Sequence, residues 1–131
     1  MPGPSVEVKV DADMIKEVKS IFKDIGVELN KDYHGIEPDD GRYYGPYYII
    51  YRSNYWGSGN NGAGGLVVDF KVNKLKEATR QYGQKKDTPT HAYGICDSTG
   101  HIIHYNARLT SSFEGTQGIK YCKAAIRKYG G

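Results

Sequence analysis

The chain has only two cysteines, Cys96 and Cys122, among its 131 residues. Two are too few for a disulfide framework, although a single bridge between them stays open. Long hydrophobic runs are missing, so no segment has the length of a membrane span. The opening residues, MPGPSVEVKV, lack the apolar core of a secretory signal, and no Asn-x-Ser/Thr acceptor site occurs. Charge of one sign is scarce as well. A net charge of +3 does not argue for nucleic acid unless the basic residues gather in a patch. These absences lead us to expect a soluble, cytoplasmic protein with free thiols. The length fits one domain, residues 1–131, with enough chain to bury a core. A hydrophobic content of 38% beside 25% charged residues is globular rather than disordered.

What the sequence does have is tyrosine beside glycine. Gly41–Phe70, GRYYGPYYIIYRSNYWGSGNNGAGGLVVDF, holds six of the twelve tyrosines and the only tryptophan. Its apolar ends, Tyr47–Arg52 and Gly65–Phe70, read as strands by their aromatic and β-branched content. The glycine- and asparagine-rich middle, Ser53–Gly64, reads as a long turn of the kind used for binding. Alternation sends Tyr47, Ile49 and Tyr51 to one face and Tyr48, Ile50 and Arg52 to the other. Tyrosine and tryptophan offer a rigid apolar face with a polar tip. Tyr43, Tyr44, Tyr55 and Trp56 are therefore a candidate contact surface, with a tyrosine-rich core strand as the alternative.

The remaining elements follow from periodicity. Val6–Val10 alternates like a short strand. Asp11 caps a helix whose stripe is Met14, Ile15, Val18, Ile21, Phe22 and Ile25, with Gly26 closing it. Leu29–Asp40, which includes His34, reads as a loop. A second helix covers Val72–Tyr82 and ends at Gly83. Thr90–Asn106 is a strand, a turn at Asp97–Gly100, and a strand. A last helix, capped by Thr116, carries Ile119, Cys122, Ile126 and Tyr129 on its apolar side. The expected order is β-α-β-β-α-β-β-α, an α+β domain with a mainly antiparallel sheet flanked by helices.

Candidate chemistry centres on the thiols and imidazoles. If Cys96 opposes His101 across the hairpin, the two form a nucleophile and base, since an imidazole beside a thiol favours the reactive thiolate. Cys122 is the other candidate nucleophile, although a cysteine on an apolar stripe also serves as a small buried hydrophobe. His91 and His104 fall on one strand face and could act as acid and base, as in a small ribonuclease toxin. His101-x-x-His104 has metal-like spacing, but residues three apart on a strand face opposite ways. No metal and no cofactor are expected. Lys120, Lys123, Arg127 and Lys128 line the polar side of the last helix, and Lys71, Lys74, Lys76, Arg80, Lys85 and Lys86 decorate the second. Side by side, these helices would make a basic face for acidic protein, phosphoinositide or RNA.

The segments GRYYGPYYIIYR and GAGGLVVDF resemble the central part of profilins, and GIKYCKAAIRKYGG is similar to a profilin C-terminal helix. The resemblance implies a binder of actin monomers or proline-rich peptides, with the last helix in the interface. The implied contact set is Tyr43, Tyr44, Tyr55, Trp56, Lys120, Lys123, Arg127 and Tyr129. A second resemblance joins HAYGICDSTGHIIHY and YCKAAIRKYG to the H-box/NC hydrolases, the lecithin-retinol-acyltransferase-like group. It implies a cysteine hydrolase or acyltransferase that works through a thioester.

Overall fold

The structure, a computed structural model, describes residues 12–29, 35–52, 63–88, 92–106 and 115–130. The expected strand at Val6–Val10 and the Asp11 cap lie outside them. The described elements are β1 (Ala12–Met14), α1 (Ile15–Lys23), β2 (Arg42–Tyr44), β3 (Tyr47–Arg52), β4 (Leu66–Val72), α2 (Leu75–Lys85), β5 (Ala92–Cys96), β6 (Ile102–Tyr105) and α3 (Gly115–Tyr129).

Four strands form one antiparallel sheet in the order β4-β3-β5-β6, and β1 pairs with β2 beside it. The α+β class is the expected one. The short strand β2 is additional, and Met14, expected in the first helix, falls in β1. The sheet is covered on both sides. Tyr47 and Ile49 of β3 point into a cluster with Val18 and Phe22 of α1 and Leu75, Ala78 and Tyr82 of α2. Tyr48 and Ile50 point the other way, into a cluster with Cys122, Ala124 and Ala125 of α3. The period-two alternation of β3 therefore separates two cores rather than a core from solvent.

Two departures from the expected elements have physical causes. Val72 ends β4, paired with Tyr47, instead of starting a helix. Helix α2 also runs through Gly83 to Lys85. A Cβ at Gly83 would lie 3.4 Å from Ile25, an ordinary van der Waals distance, so the position does not demand glycine. Burial of Tyr82 before it and the ion pair of Lys85 with Asp69 after it offset the roughly 1 kcal/mol by which glycine disfavours a helix interior.

Candidate functional site

Pairing between β5 and β6 decides the fate of the thiols. Ile95 pairs with His104 and Cys96 with Ile102, with a register shift between the two pairs. The shift is a bulge that leaves two residues of β6 facing one step of β5. It puts Ile102 in the α3 core with Cys96 and Ile103 in the α1/α2 core, the reverse of the faces that a Cys96–His101 pairing would give them. The expected pairing of Cys96 with His101 is thereby corrected. Cys96 instead lies in the α3 core cluster together with Cys122, and both cysteines are fully buried. The neighbouring Cys122 thiol, together with burial, pushes the Cys96 thiol well above its ordinary range, the opposite of an activated nucleophile.

The histidines divide. His104 is 5% exposed and lies 2.5 Å from the Tyr82 hydroxyl through Nδ1. Its ring also packs against Phe22, 6.2 Å away, so it belongs to the α1/α2 core. His101 is half-buried in the turn before β6. Its Nδ1 lies 2.9 Å from Thr99 Oγ1, and that hydroxyl donates to Asp97 Oδ1 at 2.7 Å. With the single hydroxyl proton committed to Asp97, His101 Nδ1 is the donor in that contact. His91 and His34 lie outside the described residues. Among the described residues no group of three His, Cys, Asp or Glu side chains is arranged to hold a metal ion.

Sequence reasoning read Asp97 only as a turn residue, yet it organises this end of the molecule. It is fully buried. It accepts hydrogen bonds from the backbone N–H of Tyr44, Thr99 and His101 and from the Thr99 hydroxyl. Ser98 adds two hydrogen bonds to the Tyr44 carbonyl, from its N–H and from its hydroxyl. The β5–β6 turn thus ties β2 to the main sheet. The turn also touches α3: Gly100 has φ +92°, and a Cβ there would lie 2.8 Å from Lys123 Cγ and 3.0 Å from the Ile119 carbonyl oxygen.

The aromatic surface is only partly present among the described residues. Tyr43 is 1% exposed, and burial pushes its hydroxyl pKa up. It is therefore a core residue, a correction to its expected place in a contact face. Its neighbour Tyr44 points outward, and its hydroxyl donates to Asp40 at 2.6 Å. That hydrogen bond raises the Tyr44 pKa and lowers that of Asp40. Tyr55 and Trp56 lie outside the described residues.

The basic residues are separated as well. Helices α2 and α3 cover opposite faces of the sheet, so they do not make the joint basic face that a side-by-side arrangement would give. On α2, Arg80 is paired with Glu77, and Lys85 lies 3.6 Å from Asp69 and over the ring of Tyr93. Hydrogen bonds from Arg80 and Gln81 hold the Glu77 carboxyl at a pKa of about 2. That pair sits on the rim of an open groove of about 460 Å³ between α1 and α2, floored by Ile21, Ile25, Thr79 and Gly83.

Helix α3 differs. It carries Lys120, Lys123, Arg127 and Lys128 and no acidic residue. Lys120, Lys123 and Arg127 are exposed, and their spacing places them on one stripe. Ion pairs among the described residues involve none of them. Gly118, Cys122 and Ala125 face the sheet. Tyr129 lies about two and a half turns beyond Lys120, on the opposite side of the helix. It is 39% exposed and pairs its ring with Lys128 Nζ at 5.8 Å. Of the expected contact residues, Lys120, Lys123 and Arg127 share one stripe, Tyr129 lies off it, Tyr44 points outward from β2, and Tyr43 is in the core.

No protein-family model, curated protein or solved structure matches this chain. Among the described residues no helix is long and apolar enough to cross a membrane.

Proposed function

We propose that the chain is a small protein-binding module that meets an acidic partner through the outer stripe of α3. One observation carries this reading: three neighbouring exposed cations, which no ion pair among the described residues engages, stand on a helix whose opposite side is anchored in the core. A rigidly presented stripe of one sign steers and orients a complementary surface without the entropy cost of ordering a loop. The similarity of the aromatic-glycine stretch and the last helix to profilins makes actin monomers the first partner to test, with a proline-rich peptide second. The buried thiols support a binding module over a cysteine hydrolase, because a nucleophile must reach its substrate.

Trp56 is the only tryptophan, so its fluorescence offers a single-site signal for titration with each partner. Binding carried by the stripe is saturable and weakens steadily as salt is raised. Binding that is indifferent to salt, or absent for both probes, contradicts this assignment.

A further inference from the structure

The fold brings two thiols into one core cluster, and the binding function proposed above uses neither. Cys96 ends β5 and Cys122 sits in the middle of α3. Both are free and fully buried, both belong to the same core cluster, and Cys122 is near enough to Cys96 to raise its pKa. A cysteine that served only as a small hydrophobe would need no second thiol near it. Ala92, Ala124 and Ala125 fill that role in the same cluster.

We propose that Cys96 and Cys122 form a redox modification site that closes to an internal disulfide between β5 and α3, with a low-molecular-weight disulfide as the oxidant. In the first step one cysteine thiolate attacks a sulfur of the oxidant. A protein–oxidant mixed disulfide forms, and one small thiolate leaves. In the second step the other cysteine thiolate attacks the protein sulfur of that mixed disulfide. The Cys96–Cys122 bond forms, and the second small thiolate leaves. Two protein thiols are oxidised, one small disulfide is reduced to two thiols, and the two protons pass to solvent or to the leaving thiolates.

Packing sets the order of events. Neither sulfur is exposed, so the first attack requires α3 to lift from the sheet, a local opening of the kind that protein elements undergo below the global unfolding limit. Both cysteines are fully buried in the docked state, so re-docking of α3 opposes an adduct on either sulfur and favours the second step. The raised pKa of Cys96 makes the reaction slow at neutral pH and faster in mild alkali, where the thiolate fraction grows. The bond would form on the sheet side of α3 and leave the Lys120, Lys123, Arg127 stripe outward. It therefore does not depend on that stripe binding anything.

The test uses the full folded chain, equilibrated across ratios of oxidised to reduced glutathione in mild alkali. Acid quenching, alkylation with iodoacetamide in denaturant and intact-mass measurement then report the thiols. The expected product is a monomer lighter by two hydrogens that takes up no alkyl group. Half-conversion should need a glutathione ratio at least about tenfold less oxidising than for the same chain in concentrated urea, because the folded state holds the thiols together. Cys122→Ser, checked for folding by circular dichroism, yields no such species. Three results would overturn the proposal: thiols that stay alkylatable at every ratio, equal half-conversion ratios in the folded and urea-unfolded chain, or an end product that is a glutathione adduct or a linked dimer.

Discussion

The two faces of the sheet differ in what the helices bring to them. Against α1 and α2 the helices supply the rings of Phe22 and Tyr82, which pack with Tyr43, Tyr47 and Tyr93. Against α3 the sheet also presents rings, Tyr48 and Tyr105, but the helix contributes small residues, Cys122, Ala124 and Ala125. Large rings bury much area but bring polar tips that need partners, which the Tyr82–His104 contact supplies at 2.5 Å. Small residues let a helix sit close to the strands and leave its outer side free for charge. One face is thus specialised for cohesion. The other supports a helix that is anchored on its inner side and available on its outer side.

This contrast makes unequal demands on mutation. Phe22→Ala empties a fully buried ring position and should destabilise the fold by about 3–5 kcal/mol. Ala125→Leu on the opposite face should act by overpacking and cost about 1–3 kcal/mol. Urea unfolding of the two variants measures both, and a Phe22→Ala cost below that of Ala125→Leu would break the contrast. Next in size is Gly100→Ala, at about 2 kcal/mol. A Cβ there meets both a positive φ and the α3 backbone. Its loss should fall on α3, read as faster amide exchange in that helix than in α2.

A pH series sharpens the comparison further. Burial raises the pKa of Tyr43, and of Tyr48 and Tyr93 in the same direction. A tyrosine whose folded pKa exceeds its unfolded value of 10.0 stabilises fully below that value, and its contribution is lost as pH rises towards the folded pKa. Stability should therefore hold up to about pH 10 and then fall, by up to about 1.4 kcal/mol per pH unit for each such tyrosine. Tyr43→Phe should flatten this alkaline limb more than Tyr48→Phe. Equal slopes in chemical denaturation at high pH would place the larger desolvation elsewhere. The smallest effect on stability is expected from Lys120→Glu, Lys123→Glu and Arg127→Glu together, within about 0.5 kcal/mol per site, because nothing described in the fold pairs with them.

The parts of the fold legible in the sequence are those governed by one period. The alternation of Tyr47–Arg52 gave the two faces of β3 correctly, and the helical spacing of Val18, Ile21 and Phe22 located α1, which ends at Lys23, short of Ile25. Long-range constraints left no such trace. In Ile102-Ile103-His104-Tyr105 both faces are buried, so a one-residue shift changes no hydrophobic pattern, and the bulge that separates Cys96 from His101 stayed hidden. Tyr43 and Tyr44 look equivalent in sequence, yet pairing of β2 with β1 turns one inward and the other outward. Asp97 reads as an ordinary turn residue because its partner Tyr44 is 53 positions away. The thiol pair was visible only as two separate cysteines, since contact between β5 and α3 is a property of the packed core.

The most direct measurement is the affinity for actin monomers of the native chain and of the Lys120→Glu, Lys123→Glu, Arg127→Glu variant, each with its unfolding curve. A contact surface on the outer stripe of α3 predicts a loss of at least about tenfold in affinity with unchanged unfolding. Equal affinity for the two proteins, with both folded, would contradict it and move the binding site away from α3.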